Sequence, residues 1–368
     1  MHRVKAKKIL ILSNHFVTLY SFRRELIKKL IDVGDDVYLS LPKSEENQFF
    51  KDMGCKIIDT AVDRRGINPI KDFGLVCNYI KIMRELKPDL VLSYTIKPNI
   101  YGSIASNLTR HRQICNITGT GATFLKMSCV SEVAKLLYKL SVKKAYKVFF
   151  QNSGDKDFFV NNGLVDDNYA VLPGSGVNLD QYTLCELPPE DEINFIFIGR
   201  IMQIKGIDEY LDCAQVIKEK YPAAKFYVAG FIEEERYKKI IEAFHNKGIV
   251  NYVGFQKDIN SWIRKCHCTI LPSHGGEGVP NVLLESAAMG RICIASNING
   301  SQDVIDDELS GYLFETGNSK DLICKVDKFI KLRKAQKRNM GLAGREKVER
   351  VFDRKLVIDA YIQIVEMA

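Results

Sequence analysis

The chain has 368 residues, enough at about 100–200 residues per domain for two domains that each bury a core, which excludes a small scaffold held by disulfides. Apolar residues make up 46% and charged residues 27%, with only 10 Pro, so a disordered or collagen-like chain is excluded as well. The net charge of +8 is unevenly spread: residues 1–180 hold 27 Lys and Arg against 18 Asp and Glu, whereas 181–368 hold 26 against 27.

In chain order, Ile9–Leu12, Val37–Leu41, Ile57–Ile58, Leu90–Leu92, Ile114–Ile117 and Val148–Phe150 read as short buried strands. Helical periodicity lies between them around 20–33, 70–86, 98–109 and 131–146. Repeated strand–helix–strand units predict a parallel sheet covered on both faces. The pattern breaks at 185–192, where Pro and acidic residues occur without apolar periodicity, and resumes at Ile193. Phe195–Ile198, Phe226–Val228, Tyr252–Val253, Thr269–Leu271 and Ile292–Ile294 form the second strand series. The reading is α/β, with two tandem doubly wound, Rossmann-like domains whose parallel sheets face each other across a cleft. Their bounds are 1–184 and 193–351, joined by a linker at 185–192, with 352–368 packing back on the first domain.

No apolar run reaches the roughly 18–20 residues that span a bilayer, and the N-terminal stretch leads into a strand rather than a signal-peptide core, so a cytoplasmic location is expected. Among the 10 Cys, Cys266-His267-Cys268 is the one ligand-like cluster. Strand alternation puts both thiols on one face, and buried free thiols are expected there rather than a metal. Asp155-Lys156-Asp157 has the spacing of a metal-binding carboxylate pair, but its setting after Asn152-Ser153-Gly154 reads as a helix start capped by Ser and Asp.

In doubly wound sheets ligands bind beyond the carboxyl ends of the strands. Ser13-Asn14-His15, Ser93 through Asn99, and Asn116 through Gly121 occupy such positions in the first half; Gly199-Arg200, Gly230-Phe231 and Pro272 through Asn281 do so in the second. The stretch from Ser273 to Glu285 is a Gly-rich loop that opens directly into a helix, which makes a ready anion site. It carries Glu277 in the loop and Glu285 in the first turns of the helix, placed to reach opposite ends of one extended ligand. Arg200 at a strand end and Lys205 before the next helix supply a fork donor and a point charge that suit a diphosphate.

Gly199-Arg200 with Lys205-Gly206, followed by Glu277 and Glu285 eight residues apart, resembles the donor domain of retaining glycosyltransferases of family 4, which have the GT-B fold. The likeness covers nearly the whole chain. Arg64 through Pro69, Thr95 through Asn99, Phe149 through Asn152 and Leu172 through Asn178 resemble a bacterial subgroup that builds capsule, O-antigen or exopolysaccharide repeat units on a lipid carrier. The resemblance implies that Arg200 and Lys205 grip the nucleotide diphosphate and that Glu285 accepts from the ribose hydroxyls. It also implies that Glu277 holds the donor sugar and flanks the reacting face, while Gly199, His274, Gly278, Val279, Pro280 and Asn281 complete the donor site. Ser13, Asn14, Lys97, Asn99, Thr118 and Gly119 are the candidates for acceptor or cleft contacts. The wider family's N-terminal Gly-Gly loop is replaced here by Ser13-Asn14-His15-Phe16.

The activity implied by the resemblance is transfer of a hexose or N-acetylhexosamine, galactose-type favoured, from a UDP-sugar to a polyprenyl-diphosphate-linked glycan. The UDP-sugar is a co-substrate, no metal or other cofactor is expected, and nucleic acid is not an expected partner. A nucleotide-sugar epimerase of the same fold, or a non-catalytic sugar-binding subunit, are the alternatives. Residues 131–147 set Val133, Leu137 and Leu140 on one helix face and Lys135, Lys139, Lys143 and Lys147 along another. That pattern suits a helix lying on an anionic membrane surface at the inner face of the cell membrane, and equally a core-facing helix with a solvated Lys row.

Overall fold

The computed structural model describes residues 6–63, 66, 68–120, 124 and 129–368. The first sheet comprises β1 (Lys8–Leu12), β2 (Asp36–Leu41), β3 (Lys56–Asp59), β4 (Leu90–Tyr94), β5 (Gln113–Ile117), β6 (Lys147–Phe150) and β7 (Tyr169–Val171). They are paired in the order β3-β2-β1-β4-β5-β6-β7, every pair parallel. The second sheet comprises β8 (Asn194–Ile198), β9 (Lys225–Ala229), β10 (Asn251–Gly254), β11 (Cys268–Leu271), β12 (Ile292–Ser296) and β13 (Gly311–Phe314). Its order is β10-β9-β8-β11-β12-β13, again all parallel.

The central strands are apolar without interruption because both faces are covered. Along β1, Ile9 and Ile11 pack with Leu26, Ile27 and Leu30 on one face, while Leu10 and Leu12 pack with Leu75, Tyr79 and Met83 on the other. This is the two-residue alternation of a pleated strand with a hydrophobic partner on each side. β7 and β13 are additional to the strands expected from the apolar runs. Both lie at sheet edges, where β7 is only three residues long and none of them is fully buried, so no continuous apolar run marks it. The helix expected at 20–33 is two helices, Phe16–Phe22 and Arg24–Asp32, broken at the non-helical backbone of Arg23.

The chain divides into two compact units, Met1–Ser175 with Lys355–Ala368, and Gly176–Arg354. The 185–192 stretch lies inside the second unit rather than between units. Arg291, 1% exposed, holds it there by donating to the carbonyls of Cys185 (3.1 Å) and Glu186 (2.7 Å), and Lys337 pairs with Glu190 at 3.0 Å. Loss of periodicity therefore marks a segment tethered by side chains, not a free connection. In the first unit, Val357, Tyr361 and Val365 of the C-terminal helix Arg354–Met367 recur at four-residue spacing and pack into the core of β1, β2 and β4. Phe352, two residues before that helix, packs in the second unit against Val348.

Candidate active site

Each sheet reverses its strand order once, between β1 and β4 in the first unit and between β8 and β11 in the second. Loops leaving adjacent strands in opposite directions open a crevice there. In the second unit the β8–β11 pairing brings the loop after β8 against the loop after β11. His274 N–H donates to the Ile204 carbonyl (2.9 Å) and Ser273 Oγ donates to the same oxygen (3.3 Å). Gly206 sits in the left-handed region at φ +73°, and a Cβ on it would lie 1.8 Å from the Pro272 carbonyl oxygen. Gly206→Ala should therefore push the two loops apart, with a loss of thermal stability measurable by a melt. Gly230 has the same relation to the Gly199 carbonyl oxygen, also 1.8 Å from a built Cβ, so the backbone leading into Arg200 is held against β9.

These contacts assemble the charged centre. Lys205 Nζ donates to Glu277 Oε1, which also accepts from Ser273 Oγ at 3.0 Å. Both side chains of the ion pair are largely buried. The Arg200 guanidinium lies 3.9 Å from the Glu233 carboxylate and is about a third exposed. His274 Nε2 is 2.8 Å from Glu209 Oε1; because the carboxylate only accepts, Nε2 carries the proton. The other oxygen of Glu209 is buried and has no hydrogen-bond partner.

The helix Asn281–Ala288 begins at Pro280 with no side chain capping its N-terminus. Its first N–H groups and its dipole favour an anion. Asn281 Oδ1 is buried there without a hydrogen-bond partner. The Val279 side chain is core, packed with Leu283, Leu284 and Val304, so that residue offers a ligand only its backbone. Glu285 is half-buried on this helix. Burial pushes its carboxyl up to about 7, while the charge of Arg354 and a hydrogen bond from Tyr182 act to lower it. Arg354 is itself anchored to the Gly176 carbonyl at 3.0 Å.

In the first unit the candidate residues part company. Asn99 is 1% exposed and sits in a buried network: it accepts from Ser93 Oγ (2.7 Å) and donates to the Asn116 carbonyl (2.8 Å). It ties β4 to β5. Asn99→Ala should cost about 1–3 kcal/mol by orphaning these buried groups, seen as a lower unfolding midpoint in denaturant. Ser13 is likewise fully buried, donating to the His15 carbonyl at 3.3 Å, and Asn14 is nearly so. His15 caps the helix Phe16–Phe22 through Nδ1, which accepts from the Val17 N–H at 3.1 Å. Lys97 pairs with Asp72 at 2.5 Å. Thr118 and Gly119 follow β5 and are half-buried.

Four features carry no signal in the sequence motifs: Glu209 behind His274, Glu233 beside Arg200, and Tyr182 and Arg354 beside Glu285. Thr95, inside the motif stretches and directly after β4 at the first sheet's reversal, holds φ +75° with its hydroxyl buried and unpartnered among the described residues. Strain in a β-branched residue at such a point is a mark of function. Arg64, Arg65, Ile67 and Gly121 of the motif stretches lie outside the described residues.

Asp155 is buried at a helix start whose cap is Asn152, accepting from the Asp155 N–H at 2.7 Å, not Ser153 as expected. Cys266 and Cys268 are free and buried, and burial pushes the Cys266 thiol up to about 12. Among the described residues, no group of three or more His, Cys, Asp or Glu is placed to hold a metal ion.

Two family profiles match, together spanning most of the chain: Glycosyl transferase 4-like over residues 8–152 and Glycosyl transferases group 1 over residues 186–347. The chain belongs to the glycosyltransferases. The transferase is 27% identical to N,N'-diacetylbacillosaminyl-diphospho-undecaprenol alpha-1,3-N-acetylgalactosaminyltransferase of Campylobacter jejuni, over 96% of this chain and 97% of the relative. It is 25% identical to the UDP-Gal:alpha-D-GlcNAc-diphosphoundecaprenol alpha-1,3-galactosyltransferase of Escherichia coli, over 82% of each. Its fold is GT-B, as in Anabaena HepE crystallised with UDP and glucose, at a TM-score of 0.82, 16% identity, and coverage of 98% of this chain and 100% of that one. A glycosyltransferase from Rickettsia africae matches at a TM-score of 0.80 and 19% identity, over 98% of each chain. No helix of the transferase, among the described residues, is long and apolar enough to cross a membrane.

Proposed function

We propose that the protein transfers a hexose or N-acetylhexosamine, galactose-type favoured, from a UDP-sugar to a polyprenyl-diphosphate-linked glycan, with retention of anomeric configuration and without a metal. The observation that carries this reading is the Lys205–Glu277 pair at the reversal of the second sheet, with Arg200 on the neighbouring strand end. Breaking the bond between the anomeric carbon and the diphosphate leaves growing negative charge on the phosphate oxygens. Arg200 and Lys205 are fixed cations for that charge, and the uncapped N-terminus of the helix Asn281–Ala288 adds backbone donors. Glu285 accepts from the ribose hydroxyls and Glu277 from hydroxyls of the donor sugar. The leaving phosphate takes the proton of the incoming acceptor hydroxyl on the same face, so the bond to the acceptor oxygen forms where the bond to phosphate breaks. Glu277 is already bonded to Lys205 and Ser273, which favours a binding role over that of a free nucleophile.

The donor and acceptor classes rest on the relatives, whose names specify diphospho-undecaprenol acceptors and N-acetylgalactosamine or galactose transfer. An acceptor of that kind puts the enzyme at the inner face of the cell membrane, peripherally bound. The helix Cys129–Ser141 suits this: Ala134 and Tyr138 face the core with Leu137 partly buried against it, Val130, Val133, Leu136 and Leu140 are exposed on the helix that carries Lys135 and Lys139, and Lys143 and Lys147 fall past its end. The test is a panel of UDP-, GDP- and dTDP-sugars with a polyprenyl-diphosphate-linked monosaccharide. Transfer from UDP-galactose or UDP-N-acetylgalactosamine with an α product is expected. Conversion of the UDP-sugar without acceptor would identify an epimerase, and binding without turnover a non-catalytic subunit.

A further inference from the structure

A groove of about 490 Å³ runs through the first unit between the helices Pro69–Leu86, Ile96–Thr109 and Cys129–Ser141. That volume is in the range of sites that enclose small molecules. Its walls are apolar, with Phe73, Val76, Ile96, Ile100, Val133 and Leu137 contributing. Large apolar side chains also stand open beside it: Phe73 is 71% exposed, Ile70 83% and Val133 57%. A cluster of this kind on a water-facing surface marks a binding site for something apolar.

The groove has one polar feature. Asp72 Oδ1 takes the Lys97 ammonium at 2.5 Å and its Oδ2 accepts from Tyr101 OH at 2.8 Å, so both carboxylate oxygens are used within the protein. Lys97 gives one of its three N–H donors to Asp72, and its side chain is 13% exposed in the groove wall. Lys139 and Lys144 lie on a flanking helix or just beyond it, and Lys71 and Lys135 are paired with Asp63 and Glu132; all four belong to the half of the chain that carries the excess positive charge. An apolar slot with an ion pair in its wall, in the half of the chain that carries the excess positive charge, is complementary to a hydrocarbon chain that bears an anionic head.

We propose that this groove receives the isoprenoid chain of the lipid-linked acceptor, with the diphosphate end beside Lys97; the inference rests on the transferase reading above. A concavity wide enough for one chain distinguishes it from a flat membrane-contact patch, which needs no walls. Ile70, Phe73 and Val133 close over the chain when it enters, and burial of their exposed area supplies the affinity.

The test uses the full chain and a polyprenyl diphosphate that ends in a benzophenone, with crosslinked peptides mapped by mass spectrometry. Label on 69–86 or 129–141, competed by undecaprenyl phosphate and not by phosphatidylglycerol vesicles, is expected. Label elsewhere, or equal competition by the vesicles, overturns the groove. Phe73→Ser with Val133→Ser changes exposed residues and should fold; it is expected to lower labelling about tenfold, and to lower by a similar factor the ratio of kcat/KM for a long-chain over a short-chain acceptor. An unchanged ratio overturns the proposal. Val216→Ser, also at an exposed apolar position but in the second unit, is the control that keeps full labelling. Wild-type protein that labels in the groove yet transfers no sugar would overturn the transferase reading and leave the groove standing.

Discussion

Lys205→Ala should lower the rate of sugar transfer about 10²–10³-fold at saturating donor, the effect of removing one fixed donor from a site of developing negative charge. The loss falls on kcat more than on KM, because the diphosphate carries more charge as it leaves than in the bound nucleotide sugar. The pairing has a second consequence. With Lys205 gone, the Glu277 carboxylate is left in a largely buried site without its cation, where Ser273 still donates to it, and it opposes the diphosphate more strongly than the ion pair does. Glu277→Gln in the Lys205→Ala background should therefore cost less than Glu277→Gln alone, a departure from additivity read by a double-mutant cycle on kcat/KM. Near-normal turnover by Lys205→Ala would remove Lys205 from the mechanism, and strict additivity would remove its coupling to Glu277. Arg200→Ala belongs to the same experiment, because it takes a guanidinium from beside a second carboxylate, that of Glu233.

Donor binding should depend on pH through Glu285. Its carboxyl is pushed up to about 7 by burial, from an ordinary value of 4.5. Ribose hydroxyls donate best to the ionised form, so the affinity for UDP should fall about tenfold for each pH unit below 7 and level off above it. Glu285→Gln should bind UDP more weakly at pH 8 and with no such slope, which calorimetry at pH 5.5, 7 and 8.5 would reveal. A wild-type affinity that is flat over this range would sink the assignment. The same shift has a sign for stability. The folded state holds the proton more tightly than the unfolded chain between about 4.5 and 7, so Glu285 lowers stability as pH rises through that window, and the full penalty is present above it. Without ligand, Glu285→Gln should be the more stable protein at pH 8, by about 1–3 kcal/mol, and should lose that advantage near pH 4. A carboxylate kept in a site that disfavours its charge is the pattern expected of a binding group.

Much of this site is legible along the chain. Gly199-Arg200, Lys205-Gly206 and the Glu277 to Glu285 stretch lie in loops directly after strands, and strand ends are legible because a doubly covered strand must be apolar throughout. Gly206 is legible as part of the Lys205-Gly206 motif, whereas the Pro272 carbonyl that leaves no room for a side chain on it is set by the tertiary structure. Asn99 shows where such reading fails: a polar residue after a strand has the same appearance whether it meets a ligand or bonds the next strand. Only the pairing of β4 with β5 sets its side chain against the Asn116 carbonyl. The helix Cys129–Ser141 is open to two readings in the sequence for a similar reason. Periodicity gives the spacing of a stripe but not which stripe meets the core, and here Ala134 and Tyr138 do.

Local chemistry is therefore written in the order of residues: strand lengths, crossover helices, the Gly-rich anion loop and the family resemblance all depend on neighbours within a few positions. The tertiary structure decides the partnerships. Lys205 meets Glu277 across 72 residues and His274 meets Glu209 across 65, because the strand order reverses between β8 and β11 and brings their loops together. Glu285 acquires its raised carboxyl from burial, in the company of Arg354 and Tyr182, and Glu190 is tethered by Lys337 far along the chain. Charge, burial and hydrogen-bond partnership are properties of what lies across a gap in space, and no spacing along the polypeptide encodes them.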